Sequence, residues 1–393
     1  MGRRSSRWVP VLALLIVQGC MHEPAAQQPP VQPVVAPPTQ SETRALLDSN
    51  QFAELDRRFS AVQRNYKDGS ISDEDLRAAF RAFYPTDAAL EQKYTAWIAQ
   101  FPKSYVARLA RAIYYVWVGR ERRGGNFISE TSEEQLRGME AAFAQASKDL
   151  DVSLHLDDKP LLTYAQEMDI VRYVSNGDSA HAILQTANKI DPDNVVVREK
   201  YMGTLMTRWG GSEEEMRAFV EESRGEGLSA PRLHSLEVII LTDQAQTEED
   251  AGDYASAERD YRKAVESGNV DCLTCFAGVL AHEGKFAEAI PIYSKSLALY
   301  PNNADTLSNR SYAYMQTGMM HEGIDDLRAA AEAGNAYAQC TLGLYYMVGV
   351  PGVLSTDSTE GIAWFKKSAA QGYPAGKENL ERARKLFGDQ AVH

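Results

Sequence analysis

The chain has 393 residues, of which 44% are hydrophobic and 24% are charged, as in ordinary soluble globular proteins. This length is enough for two or three domains. The formal net charge of -13 argues against nucleic acid as a partner, because phosphate binding needs a basic surface. The dense basic cluster at Arg120, Arg122 and Arg123 is interrupted by Glu121, and we interpret it as a solvated helix end.

The chain begins with the pattern of a targeting segment. Three arginines precede an apolar run, residues 9–17, that is too short to span a bilayer. The run ends in 17-VQGC-20, which resembles the processing site of a bacterial lipoprotein. The resemblance implies that residues 1–19 are a cleaved signal peptide and that Cys20 carries the lipid; the alternative is a plain secretory signal. Met21, in place of Asp, implies the outer membrane of a Gram-negative envelope, with the protein facing the periplasm.

Residues 20–41 are predicted to form a lipidated, proline-rich linker. The stretch 24-PAAQQPPVQPVVAPP-38 cannot bury apolar surface and is expected to stay extended and disordered. We therefore expect a tether between the lipid anchor and a folded body that begins near residue 42.

From residue 42 onward the pattern is helical. Apolar residues recur at spacings of three and four, as in Leu109, Ile113 and Trp117, and alternating strand patterns are absent. Residues 42–235 are predicted to form an N-terminal helical domain. Its stretches 209-WGGSEEEMRAF-219 and 117-WVGRERRG-124 resemble a bacterial helical family known only as a domain of unknown function, which implies a location in the envelope and a fold class but no chemistry. We interpret the Trp-Gly-Gly sequence as a structural turn, with a glycan-stacking site as the alternative.

Residues 236–335 contain helix-pair repeats. In 270-VDCLTCFAGVLAHEGKFAEAIPIYSKSLALYPNN-303, small residues such as Ala277 occur where two helices cross, Gly284 makes the turn, and Pro301 ends the second helix. The unit resembles a tetratricopeptide repeat, and Gly252 and Gly318 recur at near-constant spacing on either side. The resemblance implies an all-α fold in which antiparallel helix pairs stack into a right-handed superhelical solenoid.

Residues 336–393 continue the array in a different form. The sequence 336-AYAQCTLGLYYMVGVPGVLSTDSTEGIAWFKKSAAQGYP-374 resembles a Sel-one-like repeat, although its Gly-Val-Pro-Gly-Val loop departs from the usual pattern. Residues 375–393 are predicted to form a final capping helix.

Cys272 and Cys275 stand in a C-x-x-C spacing. The repeat alignment places Cys272 in the first turn of a helix, where the helix dipole would lower its pKa. His282 lies about 15 Å farther along the same helix, so the three residues cannot share one zinc ion. Three interpretations stay open: inert packing, an oxidised Cys272–Cys275 bridge without a catalytic role, and redox chemistry.

No other constellation in the sequence points to an enzyme, a cofactor or a metal. What remains is a binding surface on the concave side of the solenoid. The resemblance implies exposed positions there, among which Thr274, Ser308, Tyr312 and Met315 are candidates for partner binding. We expect a non-enzymatic scaffold that holds an envelope protein or peptide. The alternatives are a thiol-disulfide protein and a protein that binds cell-wall glycan or peptide.

Overall fold

Nearly all regular structure in the computed structural model is α-helical. The structure describes residues 36–124, 131–174 and 177–388, so the predicted signal peptide, the lipidation site at Cys20 and most of the linker lie outside it. Within the described residues there are nineteen α-helices and no β-strand, and an isolated bridge joins Val350 and Leu354. The all-α prediction is confirmed.

The N-terminal body contains ten helices. They are α1 (Gln40–Asp48), α2 (Phe52–Lys67), α3 (Asp73–Phe80), α4 (Ala89–Gln100), α5 (Tyr105–Arg123), α6 (Glu133–Ser153), α7 (Leu161–Val174), α8 (Gly177–Ile190), α9 (Val196–Met202) and α10 (Glu213–Gly225). Two short 3₁₀ turns, Arg81–Phe83 and Thr207–Trp209, follow α3 and α9.

The rest of the body contains nine helices. They are α11 (Ala230–Asp250), α12 (Tyr254–Glu266), α13 (Leu273–His282), α14 (Phe286–Leu299), α15 (Ala304–Gln316), α16 (Met320–Glu332), α17 (Ala336–Val348), α18 (Ser358–Ala370) and α19 (Pro374–Phe387). The last of these is the predicted capping helix.

The helix pairs form as the repeat pattern predicts. Ala277 of α13 and Ala289 of α14 are fully buried where the two helices cross, and Tyr293 fills the space beside them. Gly284 turns the chain between the helices with φ +77°, a conformation that costs glycine little. The small residues therefore set the close approach of the helices, and the glycine sets the turn.

Helix α11 joins the two parts of the array. It runs through residue 235, where the sequence places a domain boundary. Leu236 packs in the large N-terminal core, and Ala245 packs in the core of the next helix pairs. The division at residue 235 stays a prediction, because this one helix contributes to both cores.

Buried polar contacts hold distant helices of the N-terminal body together. The carboxylate of Asp73 on α3 accepts hydrogen bonds from the backbone N–H groups of Val195 and Val196, at 2.7 and 2.9 Å, and from Arg232 of α11 at 2.7 Å. Helix α9 has no side-chain cap of its own, so Asp73 caps it from a distant part of the chain. This contact fixes the relative positions of α3, α9 and α11.

None of the helices in the described part of the chain combines the length and the apolar character that crossing a membrane requires.

Candidate functional site

Aromatic and charged side chains from separate segments meet on one surface, which we call the aromatic–cationic cluster. The segments are α3 with its 3₁₀ turn, α5, α7, α9, and the loops at residues 271 and 300. Neighbouring members are linked by ring stacking, ion pairs and hydrogen bonds. The members are Arg77, Arg81, Tyr84, Trp117, Arg120, Asp169, Arg172, Tyr173, Glu199, Lys200, Asp271 and Tyr300.

The centre of the cluster is a group of three rings. Trp117 stacks on Tyr84 with ring centroids 4.2 Å apart, and Tyr300 lies 6.3 Å from each of them, nearly parallel to Tyr84. The guanidinium of Arg120 lies 4.2 Å from the centre of the Trp117 ring, within cation–π distance. All four side chains are half-buried, so their surfaces are partly open to a ligand.

The local spacing of residues places these side chains on shared helix faces. Arg77, Arg81 and Tyr84 follow one another at intervals of four and three along α3 and its 3₁₀ turn, and therefore lie on one side. The adjoining side presents Phe80 and Phe83 to the N-terminal core. A helix anchored by its apolar side thus holds two arginines and a tyrosine toward the cluster.

Two members of the cluster, Asp271 and Tyr300, come from a helix-pair repeat far along the chain. The hydroxyl of Tyr300 donates a hydrogen bond to Asp271 at 3.1 Å, and Arg81 lies 3.8 Å from the same carboxylate. Arg81 also lies 5.9 Å from the centre of the Tyr300 ring. The chain therefore curves back so that a helix-pair repeat closes over the N-terminal body.

On the other side of the rings, α7 and α9 contribute an ion-pair network. Asp169 is buried and accepts hydrogen bonds from Lys200 at 2.7 Å and from Arg172 at 3.2 Å. Glu199, the neighbour of Lys200, pairs with Arg77. These pairs fix the two helices against α3 and hold the charged groups in place.

Positive charge is in excess across the cluster. Five cations (Arg77, Arg81, Arg120, Arg172, Lys200) face three carboxylates (Asp169, Glu199, Asp271). Among the described residues, no carboxylate lies within ion-pair distance of Arg120, which lies on the Trp117 ring, interacts with the Tyr173 hydroxyl and is attracted by Asp169 at longer range. An acidic protein therefore carries a locally basic surface.

Two pKa shifts report the same field. Burial would raise the pKa of Tyr173, but the nearby Arg120 and Arg172 outweigh burial and lower it below its usual range. Burial would likewise raise the pKa of Asp271, yet Arg77 and Arg81 hold it below the ordinary value. In both cases nearby cations stabilise the anionic form relative to its ordinary state, and they would stabilise an anion bound at this surface in the same way.

The interpretation of the basic run 120–123 as a solvated helix end is wrong for two of its three arginines. Arg120 lies on Trp117, and Arg123 is buried, with its guanidinium 5.6 Å from the centre of the Tyr173 ring. Arg122 is exposed, as expected. Sequence alone cannot show the aromatic rings that later helices bring to this end of α5.

Trp209 extends the aromatic surface beyond Tyr173, with the ring centroids 5.0 Å apart and the rings edge to face. Its position depends on a structural turn, as predicted for Trp-Gly-Gly. Gly210 has φ +90°, and Gly211 lies so close to the Leu205 backbone that a Cβ would clash. Asp243 of α11 accepts a hydrogen bond from the backbone N–H group of Thr207 at 3.1 Å and so fixes the turn.

The four predicted concave positions have different surroundings. Tyr312 is exposed, and Met315 is half-buried, with its sulfur accepting a hydrogen bond from Tyr345. Thr274 is half-buried and hydrogen-bonded to Ser296 and Thr306. The expectation that Ser308 is exposed is wrong, because its side chain is buried between helices. Their role in binding stays a prediction, and Tyr312 is the most accessible of them.

The cysteine pair does not have the environment of a reactive thiol. Cys272 is the N-cap residue of α13, just outside the helix, and its side chain is buried. Burial raises the pKa of Cys272 to about 12 and that of Cys275 to about 11. The expected lowering by the helix dipole is therefore wrong, since loss of hydration outweighs the dipole. Cys272, Cys275 and Cys340 are all free thiols in this structure.

A search of the described residues for three or more His, Cys, Asp or Glu side chains arranged to hold a metal ion finds no such group.

Comparison with known proteins gives one family match. The model of a family described as "Domain of unknown function (DUF4034)" matches residues 172–243. This range contains the quoted stretch 209–219 but not 117–124. It also contains Tyr173 and Lys200 of the aromatic–cationic cluster.

The similar proteins are repeat proteins. Tetratricopeptide repeat protein 28 of Mus musculus is 47% identical over 45 residues, 12% of this chain, so the chain spans about 2% of that protein's length. A solved Sel1 repeat protein from Oxalobacter formigenes is 16% identical, with a TM-score of 0.40 over 58% of this chain and 95% of that chain. The structure of c5321, a protective antigen present in uropathogenic Escherichia coli strains that displays an SLR fold, is 14% identical, with a TM-score of 0.43 over 90% of this chain and 92% of that chain. The structural neighbours of this all-helical chain are thus tetratricopeptide-repeat and Sel1-repeat proteins.

Proposed function

We propose that the protein is a non-enzymatic scaffold that binds a polypeptide segment on its helical-repeat surface. The observation that carries the proposal is the aromatic–cationic cluster. Tryptophan, tyrosine and arginine, the residue types that meet in this cluster, are the side chains that dominate protein-binding sites. They come from helices held by buried ion pairs, so the surface exists before a ligand arrives, which reduces the entropy lost on binding.

The chemistry of the cysteines supports a scaffold over a thiol-disulfide protein. A nucleophilic cysteine needs a thiolate, and burial raises the pKa of both Cys272 and Cys275. A scaffold does not use these thiols, and we expect Cys275→Ser to leave binding unchanged.

The location in the cell envelope is part of the proposal and is supported by the sequence pattern around Cys20. Cys20→Ser should move the protein from the membrane fraction to the soluble periplasm or leave it unprocessed. Continued fractionation of this variant with the outer membrane would contradict lipid anchoring.

The scaffold proposal is tested by affinity capture from intact envelopes with two matched variants. Trp117→Ala removes the central ring of the cluster, whereas Tyr337→Ala removes an exposed ring on α17, among the Sel-one-like repeat helices. We expect partners bound by the wild type to be lost with Trp117→Ala and retained with Tyr337→Ala. Circular dichroism checks that both variants are folded. Capture of the same partners by the wild type and both variants would overturn the role of the cluster. Binding of isolated cell-wall glycan in place of protein would favour the glycan alternative.

A further inference from the structure

We infer that the segment bound at the aromatic–cationic cluster is acidic, with a carboxylate that pairs with Arg120 and an apolar or aromatic side chain that packs on the Trp117 and Tyr84 rings. The inference rests on the proposed function and adds the chemical class of the partner.

The first argument is the charge of Arg120. Other arginines of the cluster pair with protein carboxylates, as Arg81 does with Asp271 and Arg172 with Asp169. Arg120 contacts a ring face and a tyrosine hydroxyl, and among the described residues no carboxylate forms a direct ion pair with it, because Asp169, which attracts it at longer range, is paired with Arg172 and Lys200. A half-buried guanidinium of this kind gains most from an incoming carboxylate, which can accept two parallel hydrogen bonds.

The second argument is the sign of the surrounding field. The pKa of Tyr173 is lowered even though burial alone would raise it, so the cations around it have the stronger effect. A basic or neutral segment would enter this field without gain, while an acidic one would be attracted from solution.

The third argument is the combination of rings and charge. The Trp117 and Tyr84 rings stack at 4.2 Å and leave part of their surfaces exposed beside the Arg120 guanidinium. An acidic residue next to an apolar or aromatic one in the ligand would satisfy both parts of the site at once. This two-part match gives selectivity for an acidic peptide over an isolated anion.

The test uses the full mature chain and three pools of random twelve-residue peptides. All pools share the same apolar and aromatic residues, and their remaining positions are Asp and Glu, Asn and Gln, or Lys. Retention on immobilised protein is measured at low and high salt for the wild type, Arg120→Gln, and the control Arg137→Gln. Arg137 is exposed and paired with Glu133, so its replacement makes the same change in net charge at a distance from the rings.

We expect the acidic pool to be retained by the wild type and by Arg137→Gln, and to bind about tenfold more weakly to Arg120→Gln. Its retention should fall as salt is added. Equal retention of the acidic and neutral pools would overturn the acidic inference while leaving a peptide-binding scaffold intact. Retention of none of the pools would count against both proposals. A single-stranded oligonucleotide serves as an anionic control, and its preferential binding would show that the ligand is another polyanion and not an acidic peptide.

Discussion

Asp73 offers the sharpest test of how the binding surface is held in place. Its buried carboxylate accepts hydrogen bonds from the N–H groups of Val195 and Val196 and from the guanidinium of Arg232. Asp73→Ala leaves two buried N–H groups without an acceptor, whereas Arg232 keeps its ion pair with Asp193 at 3.1 Å. Each unsatisfied N–H group costs about 1–3 kcal/mol, so we expect a total destabilisation on the order of 4 kcal/mol.

The assay is urea unfolding of the full chain followed by circular dichroism. Glu74→Ala is the matched control, because this neighbouring carboxylate is exposed and should change the free energy of unfolding by no more than about 0.5 kcal/mol. Asp73→Asn should fall between the two, since its amide oxygen can still accept from the backbone. A loss below about 1 kcal/mol for Asp73→Ala would refute the idea that this carboxylate caps α9 from across the fold.

Three further predictions follow from buried groups and close contacts. Burial and Asp151 raise the pKa of Glu167 to about 7, so the folded state binds this proton more tightly than the unfolded state and loses stability as pH rises from about 4.5 to 7. In urea unfolding, Glu167→Gln should be more stable than the wild type by on the order of 2 kcal/mol at pH 8 and equal to it at pH 4. A difference in stability that does not change with pH would contradict this. Gly343→Ala should destabilise the protein by about 1–3 kcal/mol, because the new Cβ would lie 2.7 Å from the buried Phe365 ring. Gly278→Ala should stabilise the protein by about 0.5–1 kcal/mol, because the nearest atom to its new Cβ is 4.0 Å away. Effects of the same sign on the free energy of unfolding would refute the packing argument. Because burial raises their pKa, Cys272 and Cys275 should resist alkylation at pH 8 until the protein is unfolded, as measured by mass spectrometry of their peptides. Rapid labelling of the native protein would restore the redox alternative.

The helix pairs could be predicted from sequence because their determinants are local. Ala277 and Ala289 allow close crossing, Gly284 permits the turn, and Pro301 follows the end of α14. Each of these signals lies within one repeat, and the repeat recurs along the chain. The structure adds the buried alanines and the positive φ that the pattern requires.

The aromatic–cationic cluster could not be predicted, because it depends on how far the array curves. Nothing near Tyr84 in sequence indicates that Tyr300 will lie 6.3 Å away. The run 120–123 likewise has the pattern of a solvated helix end until the later helices are in place. The available signal was the spacing of Arg77, Arg81 and Tyr84, which lie on one side of α3 and its turn, beside the apolar residues that face the core.

The thiol pair shows a different limit of sequence reasoning. Position near a helix N-terminus predicts a lowered pKa for Cys272, but the sign of the shift depends on burial, which repeat packing determines. The raised pKa follows because loss of hydration outweighs the dipole.

The measurement that tests the central claim most directly is site-specific photocrosslinking in intact cells. A benzophenone amino acid replaces Tyr300, at the cluster, or Tyr337, exposed on α17. We predict that a polypeptide partner crosslinks at position 300 and not at 337, and that adding Arg120→Gln removes the crosslink while Arg137→Gln leaves it. A partner that crosslinks at 337 but not at 300 would contradict binding at the aromatic–cationic cluster, and a crosslink at 300 that Arg120→Gln leaves undiminished would contradict the role of Arg120.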